Sequence, residues 1–262
     1  MGVLNVTPDS FFDGGRYLDY EAAVQRGREM VAEGADVVDV GGESTRPGAG
    51  AVTVREELRR VLPVVEALAG EVRVSIDTTK TEVAHAALSA GATLVNDVSS
   101  SLAALAAEHG AGFVAMHRKG TPTDMQRDPH YDDVVREVRE FLVRQAAIAR
   151  AAGVGEIYLD PGIGFGKTVR HNLELLAALP ELVATGFPVL VGTSRKSFLG
   201  HLGAGGSADG RVGDVAPLGA EDRFEGSLAS AVWAMACGAA MLRVHDVAAT
   251  KQAARLFQEV AA

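Results

Sequence analysis

The chain has 262 residues, of which 47% are hydrophobic and 23% charged, with 30 glycines, 9 prolines and a single cysteine. That composition excludes the disordered, collagen-like and low-complexity classes, and the lone Cys237 excludes a disulfide framework and a cysteine-built zinc site. A formal charge of −9 argues against general nucleic-acid binding, but a local cluster of Arg and Lys can still serve an anionic substrate.

In chain order, the opening MGVLNVTPDS has neither the basic region nor the apolar run of a secretory signal. Apolar runs then recur at residues 2–6, 36–40, 72–77, 92–97, 112–117, 156–160, 188–192 and 239–245, which gives eight candidate strands. Their continuous apolar character suits parallel strands covered on both faces. The segments between them read as amphipathic helices. Leu58, Val61, Leu62, Val65 and Leu68 form one stripe, and Val134, Val138, Phe141, Leu142 and Ile148 another. Thr53 with Glu56, and Thr79 with Glu82, fit the capping box of a helix start. The longest uncharged stretch, 226–242, is shorter than a membrane span of about 20 residues and reads as a buried helix running into a buried strand. A soluble, cytoplasmic protein with no membrane partner is expected. Strict alternation predicts an α/β chain folded as a single-domain (β/α)8 TIM barrel over residues 1–262. A doubly wound open sheet is the alternative, because periodicity does not report closure.

The residues that end the strands carry the chemistry. Asn5, Asp39, Asp77, Asn96, His117, Asp160 and His245 lie at or just past apolar runs, and Lys196 follows the seventh. In a barrel these ends converge on one mouth, where active sites of this architecture sit. Three loops add to it. Residues 5–16 hold Pro8, Gly14 and Gly15; residues 41–50 set Thr45 and Arg46 among glycines; residues 160–168 read DPGIGFGKT. The third resembles a phosphate cradle but has Pro161 where a Walker A loop needs Gly, and Lys167 where GxGxxG needs Gly. The seven histidines are scattered, with no HExxH, and His85, His109 and His130 read as structural or solvated. TSRKS at 193–197 and RVHD at 243–246 occupy the customary phosphate position after strands seven and eight. Arg243 and His245 alternate along a strand and so face the same way. Pairing of Arg243 with a nearby acid is the alternative to phosphate contact.

These motifs together (LNVTPDSFFDGG, VDVGGESTRPGA, VSIDT, VNDVS, LDPGIGFGKT, VGTSRKSF and RVHDV) resemble the dihydropteroate synthases, in order, from Gly2 to Val247. The resemblance implies a barrel transferase of folate biosynthesis and a sulfonamide target. Its small-molecule substrates would be 6-hydroxymethyl-7,8-dihydropterin diphosphate and 4-aminobenzoate, and the protein would be a homodimer. It further implies that Asn5 ligates Mg²⁺ with the diphosphate, and that Thr45, Arg243 and His245 bind that group. Asp77, Asn96, Met116, Asp160 and Lys196 would hold the pterin. Phe11, Asp13, Arg46, Pro47, Phe165 and Ser197 would shape the aminobenzoate pocket, with Asn5, Asp13, Arg46, Lys196, Arg243 and His245 in catalytic roles. A non-catalytic pterin-binding paralogue and a pterin-dependent methyltransferase are the alternatives, and a Schiff-base aldolase using Lys196 is a third. Three departures stand out. Ser100 and Ser101 replace glycines of the usual NDVSGG, Phe12 stands where a small residue is usual, and the chain opens directly on strand one. If either serine occupies a position needing φ > 0, the turn after strand four is expected to carry strain.

Overall fold

The computed structural model describes residues 1–7, 16–44, 50, 52–121, 123–209 and 215–261. Strands β1 (Gly2–Asn5), β2 (Val37–Gly41), β3 (Arg73–Asp77), β4 (Leu94–Asp97), β5 (Gly112–Met116) and β6 (Ile157–Asp160) pair in that order, all parallel. β7 (Leu190–Val191) and β8 (Met241–Leu242) pair with each other. Two single bridges join these pieces, Leu159 to Val189 and Gly2 to Val244. Backbone bonds from Leu159 N to Pro188 O, and from Val3 N to Val244 O, both 2.9 Å, run beside them. The sheet therefore closes as an eight-stranded barrel, and the open-sheet alternative falls.

The strands pack on both faces, as their unbroken apolar runs predict. Val38 and Val40 of β2, Val74 and Ile76 of β3 and Val95 of β4 belong to the large outer core against the helices. Residues that alternate with them build a small inner cluster of Met1, Val37, Leu94, Val114 and Leu190. One step further along the same inward rows stand Asp39, Asp77, Asn96, Met116, Asp160 and Arg243. A period of two thus turns one residue in two of each strand toward the barrel axis, apolar at the base and polar at the mouth.

The helices are α1 (Arg16–Ala32), α2 (Val54–Leu68), α3 (Thr81–Ser89), α4 (Ala103–Glu108), α5 (Val134–Ala151), α6 (Val169–Ala177), α7 (Leu179–Val183), α8 (Ser197–Gly203), α9 (Phe224–Ala236) and α10 (Val247–Ala261). Thr53 caps α2 by accepting the Glu56 N–H. The expected box at Thr79 is not formed: Lys80 is the N-cap of α3 and makes no side-chain cap. A capping box forms instead at Thr168 and His171, where the imidazole takes the place of the usual carboxylate. In α5, Ile148 lies 57% exposed and Ala146 and Ala149 complete the buried stripe. α9 also departs from its reading. Only Ser227, Ala231 and Ala234 are buried, and Trp233 is half exposed. No helix among the described residues is long and apolar enough to cross a membrane.

Candidate active site

Arg243, just past β8, reaches back into the barrel between two carboxylates. Its Nε lies 2.6 Å from Asp39 Oδ2 and its Nη2 2.7 Å from Asp77 Oδ2. Asp39 is fully buried and also accepts from Asn96 Nδ2 at 3.0 Å, while its Oδ1 has no partner. Burial works against the charge on Arg243, but Asp39 and Asp77 outweigh it and hold the guanidinium above its ordinary value. The buried Asp39 and the half-buried Asp77 share that one cation. Burial raises the Asp77 carboxyl to about 7, against the pull of Arg243.

On the facing side, Asp160 at the end of β6 accepts the Gly162 N–H at 2.7 Å. Burial pushes its carboxyl up, with Lys196 opposing. Lys196 donates to the Ile163 carbonyl and lies 4.8 Å from the centre of the Phe165 ring. Burial brings its amine down to about 8. Gly192, at the end of β7, leaves the floor between the two halves open. A Cβ there would stand 3.6 Å from Arg243 Cβ and 3.9 Å from Lys196 Nζ. His245 Nδ1 pairs with Ser194 Oγ at 3.0 Å, so the loops after β7 and β8 meet. Ser197 opens α8 and is exposed, and Asn5 ends β1 half-buried.

Asp77, Asn96, Met116, Asp160, Lys196, Arg243 and His245 thus gather at one mouth, with Asn5, Phe165 and Ser197 on its rim. Phe11, Asp13, Thr45, Arg46 and Pro47, like Phe12, lie outside the described residues. His117 does not join the mouth. It follows Met116, so the strand period turns it outward, where it is buried against Lys167 Nζ at 3.0 Å. His85 and His109, far apart in sequence, meet at 3.0 Å through their ring nitrogens on the outer surface. Sequence reasoning assigned no role to Asp39 or Arg195. Asp39 stood among the strand ends, and its place two residues after the inward Val37 was the available signal. Arg195 pairs with Asp246 at 2.8 Å and Glu221 at 3.0 Å, fastening the TSRKS loop to RVHD.

Fold and mouth together define a barrel enzyme whose site interleaves carboxylates and an amide with the cations Arg243 and Lys196. The chain matches the family described as "Pterin binding enzyme" over residues 1–245, and it belongs to that family. It is 52% identical to a dihydropteroate synthase of Mycobacterium leprae over 98% of this chain and 91% of that one. With the Escherichia coli K12 dihydropteroate synthase it shares 45% identity over 98% and 90% of the two chains. Among solved structures, Xanthomonas albilineans dihydropteroate synthase with 4-aminobenzoic acid superposes with a TM-score of 0.88 at 47% identity, covering 100% of this chain and 92% of that one. The same enzyme in complex with 7,8-dihydropteroate gives 0.85 at 44%, covering 100% and 93%. The Yersinia pestis enzyme in a sulfonamide drug complex gives 0.88 at 42%, also covering 100% and 93%.

Proposed function

We infer that this protein condenses 6-hydroxymethyl-7,8-dihydropterin diphosphate with 4-aminobenzoate, giving 7,8-dihydropteroate and pyrophosphate in folate biosynthesis. The observation that carries this reading is the pairing, within one mouth, of Asp77, Asn96 and Asp160 with Lys196, Arg243 and His245. A pterin offers donors along its amino-pyrimidinone edge, which buried carboxylates and an Asn oxygen accept. Each buried polar group left without a partner costs about 1–3 kcal/mol, so the site selects this ring over apolar ones. Met116 packs beside the ring, and Lys196 exchanges its carbonyl partner for the ring's polar edge. Arg243 and His245, with Thr45, take the diphosphate, and Phe11, Arg46, Pro47, Phe165 and Ser197 the aminobenzoate.

The reaction breaks the C–O bond to the diphosphate and forms a C–N bond to the arylamine. Arg243 and His245 stabilise the negative charge that develops on the leaving group. Asp77 and Asp160 favour the positive charge left spread over the pterin, so no covalent enzyme intermediate is needed. Asn5 offers one amide oxygen at the rim. No group of three His, Cys, Asp or Glu among the described residues could hold a metal alone. An amide oxygen suits Mg²⁺, which takes one or two protein oxygens and completes its shell with phosphate and water. When bound through Asn5 and the diphosphate, the ion would offset charge on the leaving group.

The paralogue reading leaned on Ser100 and Ser101, yet Ser100 takes the left-handed conformation with φ 56° that the glycine pattern calls for, and its hydroxyl bonds the Met116 backbone. The exposed apolar residues of α9 and α10 (Phe224, Val232, Trp233, Leu256 and Val260) supply the face of a homodimer. The test is an assay of pyrophosphate and dihydropteroate release from dihydropterin diphosphate, aminobenzoate and Mg²⁺. Turnover that stops without Mg²⁺ and is competed by a sulfonamide is expected. A folded sample that releases neither product overturns the assignment.

A further inference from the structure

Lys167 is 1% exposed, and its amine bonds backbone carbonyls and the His117 ring rather than any side chain of the mouth. Its Nζ lies 2.9 Å from Gly162 O, 3.1 Å from Phe165 O, 3.4 Å from His117 O and 3.0 Å from His117 Nδ1. We propose that Lys167 is a positioning residue that draws the β6–α6 loop onto the end of β5 and thereby sets Asp160, Phe165 and Lys196 around the two substrates. This rests on the proposed function only in taking those three groups as substrate-facing.

Ile163 is the loop's apolar anchor in the core, and the rest of its backbone depends on polar contacts. Gly162, Gly164 and Gly166 have φ of 64°, 83° and 65°. A Cβ at Gly162 would collide with the His117 carbonyl, and one at Gly166 with that of Lys119. The backbone therefore lies directly on residues 117–119 and is fixed by polar contacts. Gln126 Nε2 donates to Gly164 O at 2.7 Å, Tyr131 OH to Gly166 O at 2.8 Å, and Gly164 N–H to Asn172 Oδ1 at 2.7 Å. Each of those ties a single point of the loop. Lys167 joins Gly162, Phe165 and the end of β5 at once, and an ammonium has three donors to divide among them.

The face of the loop opposite Lys167 meets the mouth without an intermediary. The Gly162 N–H bonds Asp160, the Ile163 carbonyl holds Lys196, and the Phe165 ring stands beside the same amine. A displacement of the Gly162 or Phe165 carbonyl is thus passed to all three groups. His117, Lys119, Tyr131, Asp160, His171 and Lys196 surround the amine. Burial brings the amine down to about 7 and the His117 ring to about 3, so the imidazole is neutral and its Nδ1 can accept an N–H from the amine in either charge state.

Lys167→Met keeps the chain length and removes every donor. Calorimetry with non-phosphorylated 6-hydroxymethyl-7,8-dihydropterin is expected to show at least about a tenfold loss of affinity. Affinity for pyrophosphate, which faces Arg243 and His245 on the other side, should be unchanged. Hydrogen exchange without ligand should quicken at residues 162–166 and stay at wild-type rates in β1 to β4. Should Lys167→Met fail to fold, His117→Asn is expected to show the same pattern at smaller amplitude. Equal losses for both ligands, exchange that rises throughout the barrel, or no change in either readout would overturn the proposal. A wild-type protein that binds no dihydropterin overturns the proposed function instead, and the exchange comparison still decides the role of Lys167.

Discussion

At the mouth, one guanidinium answers for the buried Asp39 and the half-buried Asp77, and this changes what removing it does. Read from the sequence, Arg243 binds the diphosphate, with pairing to a nearby acid as the alternative, and on the first reading its loss would spare a pterin that lacks that group. The structure makes Arg243 the shared partner of Asp39 and Asp77, with Asn96 hung on the same Asp39 oxygen. Breaking a buried pair by deleting one partner costs about 3–5 kcal/mol, because the remaining charge stays in the interior unpaired. Arg243→Ala is therefore expected to lower the melting temperature and to weaken both the diphosphate substrate and the bare dihydropterin, since Asp77 and Asn96 lose their setting. Calorimetry with the bare ring, below the melting transition, separates the two cases. An unaltered pterin affinity would return Arg243 to a purely anion-binding role. The polar strand ends were legible because a strand has a period of two and a barrel has one mouth. Pairings across the mouth were not legible, since Asp39 and Arg243 are 204 residues apart and no local pattern links them.

The turn after β4 shows how an element absorbs a departure from its family's pattern. Asp97 accepts the Ser99, Ser101 and Leu102 N–H groups, so its buried carboxylate organises the turn whatever follows it. Ser100 then sits at φ 56°, which costs a side-chain-bearing residue about 1–2 kcal/mol. Its buried hydroxyl offsets this by accepting the Met116 N–H and donating to Met116 O, both at 2.9 Å. Ser100→Gly relieves the strain but leaves a buried N–H unpartnered, at about 1–3 kcal/mol, and adds chain entropy of roughly 0.5–1 kcal/mol. The hydroxyl wins that comparison, so Ser100→Gly should melt a few degrees lower than the wild type in a thermal scan. A higher melting point would show that backbone strain dominates. The sequence flagged this position through its missing glycine, but not the hydroxyl's partner on β5. Lys167 was hidden for a related reason. Its neighbours are carbonyls, which every residue possesses and no motif marks.

For the whole molecule, eight strands were readable while closure was not, because the last two joints are single bridges at Leu159–Val189 and Gly2–Val244. Strand β8 is only two residues long, and its place between β7 and β1 depends on its pairing with β7 and on the Gly2–Val244 bridge. α9 was misjudged for a similar reason. A run without charges reads as buried within one chain, whereas here it leaves Phe224, Val232 and Trp233 exposed beside Leu256 and Val260 of α10. Large apolar side chains clustered on adjacent helices are what a subunit interface requires, with Trp a frequent anchor. The indole N–H of Trp233 is already bonded to Leu176 O at 2.8 Å, so its ring is held in place before any partner arrives. Substituting Trp233 would therefore disturb the fold as well as the proposed interface. Leu256 is 67% exposed, so a charge there costs the isolated barrel little. Leu256→Glu should convert a dimer to a monomer in sedimentation while melting cooperatively and retaining turnover, since the described mouth residues belong to one barrel. A wild-type protein that already sediments as a monomer at micromolar concentration would show that this face has no second copy to meet.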